Sequence, residues 1–275
     1  MPGQLLLAFG QRECAVSCVR RAADLAAALG VDLRVIRVLP LGWVSSLGLG
    51  KPTREDVRAA LRATRLLIAR SLGEEPAAGM VVVRRGSFVE QVAFHLRLTD
   101  ISLIVIGEEW GGIGKLATSL ARRAKRSVMV ARPGMFRGIL AATDLSTPGH
   151  PVLHEAARLG AALRVPVTAF HNVDPLAVGG LYGEAPTRFQ QRERLKQAVR
   201  QLTIEASAVV RADIDPVGAI REQARHSNAD VVVVGTHCRP PWERLLRGSV
   251  SSRVVERAPG SVVVTPAGGS SDGTA

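Results

Sequence analysis

The chain has 275 residues, of which 47% are hydrophobic and 22% charged, with a net charge of +12; that is enough apolar material for one or two folded cores and too much for a disordered chain. No uncharged stretch exceeds 14 residues (258–271), short of the roughly 18 that span a bilayer, and the opening residues lack the basic start of a secretory signal, so a soluble cytoplasmic protein without a membrane partner is expected. Three cysteines exclude a disulfide framework.

In chain order, residues 1–11 read as a strand. Cys14 and Cys18 then fall on one face of a helix, which suits small buried thiols better than zinc ligands. A Gly-rich apolar loop, 40–50 with Trp43, precedes a long helix on which Arg54, Arg58, Arg62 and Arg65 line one face while Val57, Leu61 and Ile68 turn inward. The run 104–107 has the composition of a buried strand, and 128–131 closes the first half.

In the second half, 139–143 reads as a strand, 148–163 as a helix, 165–173 as a strand, and 187–209 as one long helix carrying Arg188, Arg192, Lys196 and Arg200 on one face. A second Gly-rich loop, 175–183 with Tyr182, precedes that helix. Both loops read as lids over a pocket or as segments ordered by a neighbouring domain. A short helix at 216–227, the run 230–234, a helix from about 249 to 257 and a strand at 261–265 follow. Continuous Val/Ile runs mark strands covered on both faces, and their alternation with helices means a parallel, doubly wound sheet.

The halves repeat one another. Leu5-Leu6-Leu7-Ala8 returns as Ile139-Leu140-Ala141-Ala142, Ala27-Ala28-Leu29 as Ala161-Ala162-Leu163, and 126–130 as 260–264, all at an offset of 134 residues. The run 104–107 matches 232–235 at an offset of 128, so compensating insertions lie in loops. Two domains are expected, 1–134 and 135–270, with a flexible Gly/Ser tail at 271–275. The first carries 20 basic and 11 acidic residues and the second 16 and 13. An Arg excess in an Ala-rich chain fits nucleotide composition as readily as an anionic partner. With only 4% aromatic residues, nothing supports base stacking, and a nucleic-acid partner is not expected.

Ligands of such sheets gather at the carboxyl ends of the strands. In the second half these ends carry Asp144-Leu145-Ser146, His171-Asn172 and Gly235-Thr236-His237-Cys238-Arg239. After a loop, Gly248-Ser249-Val250-Ser251 opens the final helix. A Gly-Ser helix start offers free N–H groups and the positive end of the helix dipole to a phosphate. Arg239 adds donors, and an acid after the first strand accepts hydrogen bonds from a base or ribose.

This arrangement resembles the universal stress protein family over nearly the whole chain, as a tandem pair. Nucleotide-binding members carry G-x2-G-x9-G-[S/T] after the fourth strand and an Asp after the first; here Gly235, Cys238, Gly248 and Ser249 keep the spacing with the middle glycine replaced. The resemblance implies two Rossmann-like domains of the adenine nucleotide alpha-hydrolase type, each on a mainly parallel five-stranded sheet. It implies a stress-response regulator rather than an enzyme, with ATP, with or without Mg, in the second domain only. Asp144 would hold adenine and ribose, Asn172 and Val234 would line the base pocket, and Gly235 would admit the backbone. Cys238 and Arg239 would sit in the phosphate loop, with Gly248, Ser249, Val250 and Ser251 binding phosphates. The final strands, 128–131 and 262–265, would pair the two domains as in family dimers, and a homodimer is a further implied assembly; the identity of a protein partner is not implied. A Cβ at position 238 costs about 1–2 kcal/mol if the loop needs a positive φ, and Pro240-Pro241 stiffens it, so a pocket kept for structure alone stands beside ATP binding.

The first half departs further. Gly10 stands where Asp144 would be, and the segment from Gly107 to Gly114-Lys115 is six residues shorter than that from Gly235 to Gly248-Ser249. Glu108-Glu109 puts acids where phosphates would lie. Gly111-Gly112-Ile113-Gly114-Lys115 lacks the Walker spacing and its hydroxyl residue. This half is expected to bind no nucleotide and to pair with the second. His95, His150, His154, His171, His226 and His237 show no metal-ligand spacing, and no nucleophile elbow occurs. Slow ATP hydrolysis or self-phosphorylation on Ser249, Ser251 or Ser252 lacks an evident base. The alternative function is a nucleotide-independent scaffold or interaction module that uses the basic helix faces.

Overall fold

Leu5, Leu6 and Leu7 are consecutive and all wholly buried. Successive strand residues point to opposite faces, so this run lies in a sheet covered on both sides. The computed structural model describes residues 3–10, 15–41, 43–45, 48–108, 112–145, 150–175, 188–202, 204–236 and 250–267, and the chain divides into the units Met1–Pro133 and Gly134–Ala275. The tail at 271–275 and the loop 176–187 lie outside the described residues, as do Cys14, Glu109 and Gly111.

The first unit runs β1 (Gln4–Phe9), α1 (Val16–Leu29), β2 (Asp32–Leu39), β3 (Trp43–Ser45), β4 (Gly48–Gly50), α2 (Arg54–Leu72), β5 (Val81–Arg85), α3 (Phe88–Leu96), β6 (Ile101–Gly107), α4 (Ile113–Ala124) and β7 (Ser127–Ala131). Its main sheet has the order β7-β6-β1-β2-β5 with every pair parallel. The second unit runs β8 (Ile139–Ala142), α5 (Pro151–Leu163), β9 (Val167–Val173), α6 (Arg188–Arg200), β10 (Ala206–Ala212), α7 (Pro216–His226), β11 (Val231–Thr236), α8 (Val250–Arg257) and β12 (Ser261–Pro266). Its order, β10-β9-β8-β11-β12, is again all parallel. Each unit is thus a Rossmann-like α/β domain on a five-stranded sheet, as the resemblance implied.

Three expectations change. The long helix at 187–209 ends at Arg200, and β10 follows it; the Val209-Val210 pair takes a ladder position beside β9, with Val210 opposite His171. Helical periodicity in the sequence is overridden there because β-branched residues gain more from pairing at a sheet edge. The loop at 40–50 contains an antiparallel hairpin, β3 with β4. On α2 the buried residues are Ala60, Thr64, Ile68 and Ser71. Val57 and Leu61 sit at the rim, because small side chains let α2 approach α1, and the Ser71 carbonyl accepts from Arg20 Nε at 3.0 Å. Arg54, Arg58 and Arg62 are exposed as expected, whereas Arg65 is half-buried and donates to the Pro76 carbonyl at 3.0 Å.

At the start of β11, Asp230 is held from several sides. Its carboxylate accepts from the Arg137 backbone N–H at 3.0 Å, Nε at 2.8 Å and Nη2 at 2.7 Å, and its own N–H donates to the Gly138 carbonyl at 3.1 Å. The lower ends of β8 and β11 are thereby clamped together.

Candidate functional site

In the second unit β9 and β10 follow on one side of β8, and β11 and β12 lie on the other. The strand order reverses between β8 and β11, so their carboxyl ends frame the crevice where such sheets take ligands. Ala142 pairs with Val234; the next residues, Thr143-Asp144 and Gly235-Thr236, therefore leave the paired segment side by side. Val234 is buried, and Asp144 is half-buried at the rim.

The turn into Asp144 is held by its neighbours. The Thr143 N–H donates to the Phe170 carbonyl at 2.9 Å, and its carbonyl accepts from His171 Nδ1–H at 2.8 Å. Its hydroxyl oxygen accepts from the Leu145 N–H at 3.1 Å. Leu145 has φ +60°, a left-handed conformation that costs a leucine about 1–2 kcal/mol and persists because the Thr143 contacts over-determine it. His171 was visible in the sequence only as a strand-end residue. Its work is to hold the carbonyl before Asp144, which fixes its own proton on Nδ1.

Asn172, at the end of β9, donates through Nδ2 to the Asp213 carbonyl at 2.8 Å, while its Oδ1 is sealed from solvent without a partner. Ser251, in the first turn of α8, is 4% exposed and donates its hydroxyl to the Gly235 carbonyl. That bond ties the start of α8 to the end of β11, which presents the positive end of the helix beside the crevice. The Ser251 hydroxyl proton is therefore spent inside the protein. Val250, the first residue of α8, is partly exposed. Cys238, Arg239, Gly248 and Ser249 lie outside the described residues, together with His237, Pro240 and Pro241. Ser251→Ala removes this bond to the Gly235 carbonyl and is expected to destabilise the second unit by about 1 kcal/mol, readable as a lower urea midpoint at unchanged slope.

The first unit has different residues at the same point. Its order reverses between β1 and β6. Gly10 follows β1, and Glu108 follows β6 and takes an ion pair from Arg132 Nε at 2.9 Å. Gly107 pairs with Ala131, so acid and base are the next residues along adjacent strands; in the second unit those places hold Thr236 and Pro266. The expected bare acid at this strand end is therefore neutralised by a residue 24 positions away in the chain. Arg37 takes the register position of His171 and lies over the Phe9 ring at 5.7 Å. Gly112 has φ +70° and caps α4 without a side-chain contact. Among the described residues, no group of three or more His, Cys, Asp or Glu is placed to hold a metal, and no helix is long and apolar enough to cross a membrane.

The family model for the universal stress protein family matches residues 1–132 and again 135–266. The chain belongs to the universal stress protein family. Its two units are two universal stress domains in tandem. A universal stress protein from Archaeoglobus fulgidus DSM 4304 superposes over 96% of this chain and 96% of its own, with 14% identity and a TM-score of 0.65. A functionally unknown protein from Pseudomonas aeruginosa PAO1 covers 97% of this chain and 93% of its own, with 15% identity and a TM-score of 0.64. At these identities the likeness speaks for the fold. No curated protein matches the chain. Family membership supports a protein of the stress-response type.

Proposed function

We propose that the second universal stress domain binds an adenine nucleotide, ATP, at the carboxyl ends of β8 and β11, and that the chain acts as a stress-response regulator through that binding rather than through turnover. The asymmetry at the strand-order reversal carries this reading. The second domain offers a carboxylate, Asp144, beside a glycine strand end, Gly235; the first offers Gly10 and a closed Glu108–Arg132 pair. The first domain is therefore a partner of the binding domain rather than a second site.

The residues fit an adenine nucleotide. Asp144 accepts from ribose hydroxyls or the base, and the unpartnered Asn172 Oδ1 is an acceptor of the kind an exocyclic amine satisfies. The first turn of α8 supplies N–H groups for phosphates, with Gly248, Ser249 and Arg239 preceding it in the chain. Magnesium would arrive with the phosphates and be held by them. Ser251 and Ser252 are buried, which disfavours both as phosphate acceptors.

Calorimetric titration of the full chain with ATP tests the reading. Saturable binding in the micromolar range is expected, and Cys238→Gly should tighten it about tenfold, since glycine restores the family's residue at that spacing and a tenfold gain corresponds to roughly 1.4 kcal/mol. Absence of binding up to the millimolar range in both proteins would leave the second domain as a structural copy and favour the scaffold reading.

A further inference from the structure

Helix α6 lies between β9 and β10 in the second domain as α2 lies between β2 and β5 in the first, yet the two helices are held differently. Of the thirteen residues of α6 only Leu195 and Ala198 are buried, whereas α2 buries Ala60, Thr64, Ile68 and Ser71. The first turn of α2 carries Glu55 and Asp56, which suit the positive end of a helix dipole, and Thr53 closes a capping box with Asp56. The first turn of α6 holds no acid and begins on Arg188, a charge of the wrong sign at that end. Most helix stability in a protein comes from packing an apolar face, so so polar a helix adds little to the core of its domain.

The exposed side of α6 is built from cations around one acid. Arg192, Lys196 and Arg200 follow at four-residue spacing on one stripe. Glu193 accepts from Lys196 Nζ at 2.8 Å; that bond first, then the nearby charges of Lys196, Arg200 and Arg192, hold its carboxyl below the usual range. Arg188 is engaged elsewhere, its Nη2 donating to the Val210 carbonyl at 3.1 Å. Arg194 and Arg200 line, with Phe189, Gln190, Glu193 and Gln197, a groove of about 450 Å³ along the helix. Arg200 also lines a second groove, of about 760 Å³, whose apolar members include Val199, Leu202 and Ile204, so the two adjoin at that residue. Phe189 is 72% exposed.

We propose that this face of α6 docks an acidic segment of a partner protein, with carboxylates answering Arg192, Arg194 and Arg200 and an apolar side chain seated against Phe189. The surface does not depend on the nucleotide reading of the same domain. Four cations against one acid supply the charge complement, which steers encounter and fixes the sign of the partner. An exposed aromatic ring inside a groove gives an apolar anchor something to pack on. Glu193 selects protein over nucleic acid: pinned by Lys196 within the patch, it interrupts and repels a continuous run of phosphates. A bilayer requires a continuous apolar face, and Phe189 is the one large apolar side chain that α6 exposes. A second copy of the chain, at +12, would bring like charge to this face. Carboxylates docked along α6 also supply the negative charge that its first turn lacks, so docking should steady the helix.

Fluorescence anisotropy of a labelled, glutamate-rich peptide of about ten residues with two leucines, titrated with the full chain in the absence of nucleotide, tests this. The same peptide with glutamine for glutamate should bind about tenfold more weakly or worse, and raising salt from about 50 to about 300 mM should weaken the acidic peptide by a similar factor. Arg192→Glu combined with Arg200→Glu should cost about tenfold or more and Phe189→Ser about threefold or more, whereas Arg58→Glu combined with Arg62→Glu, an exposed pair on α2, should change affinity less than about twofold. Melting temperatures show that each variant is folded. Amide exchange along α6 should be faster than along α2 in the free protein and should slow about tenfold with the acidic peptide. Equal binding of the two peptides overturns the proposal without recourse to any variant, as does exchange on α6 that the acidic peptide leaves unmoved. Equal losses from the α6 and α2 pairs, or unchanged affinity in folded Phe189→Ser, overturn it as well. A single-stranded oligonucleotide of matched charge, or anionic vesicles, binding more tightly than the peptide would overturn it in favour of nucleic acid or membrane.

Discussion

Gly260→Ala is expected to destabilise the second domain by about 3 kcal/mol, the upper part of the range for forcing atoms into a packed site. A Cβ at Gly260 would run into the Asp230 carbonyl oxygen and come within 2.9 Å of its carbon and 3.2 Å of its Cα. Backbone yields less readily than a side-chain end. Asp230 is also the residue clamped by three bonds from Arg137 and by its own N–H to Gly138, so it cannot retreat without opening the β8–β11 edge. Gly30→Ala provides the comparison: Gly30 has φ +64° with nothing within 4 Å of the added carbon, and the conformational penalty alone is about 1–2 kcal/mol. Urea denaturation of both variants, with amide exchange on β11 and β12 to locate the loss, decides between them. Equal losses would mean that the Asp230 contact relaxes and the clamp is weak.

Asp144→Ala is expected to weaken ATP binding roughly 10- to 150-fold, the equivalent of a charge-assisted hydrogen bond of about 1.5–3 kcal/mol. The residue lies beyond the last paired position of β8, so removing its side chain leaves the sheet ladder intact. Asp144→Asn separates charge from shape: if the carboxylate accepts two ribose hydroxyls, the amide retains one acceptor and should lose less. Calorimetry gives the affinities, and the melting temperature without ligand shows whether the turn has survived. Affinity unchanged in a folded Asp144→Ala would place the nucleotide, if one binds, away from the strand-order reversal.

Much of the fold was legible because its signals are local or repetitive. The 134-residue offset divided the chain, and the apolar runs at Leu5–Ala8, Ile139–Ala142 and Val231–Val234 marked strands covered on both faces. Where local signals competed, the reading failed. The segment 201–212 could continue a helix or pair with β9, and only the available neighbour decided for β10. On α2 Ile68 faces inward as its spacing predicts, but Val57 and Leu61 stay at the rim, because close approach to α1 selected Ala60, Thr64 and Ser71 for the buried face.

Asp144 was legible as an acid at the end of an apolar run, and the first domain's departure showed in Gly10 and Glu108. The contacts that shape the crevice were not. His171 holds the Thr143 carbonyl from 28 residues away, Ser251 holds the Gly235 carbonyl from 16, and Arg132 neutralises Glu108 from 24. Two of these three partners are backbone carbonyls, which every residue possesses and which no motif can single out. By itself the sequence determined a tandem of doubly wound domains and the strand ends at which a ligand would sit, since periodicity and repetition are written in residue identities. Only the tertiary structure decided which side chains hold those ends and which charges are answered, because that depends on which strands lie side by side.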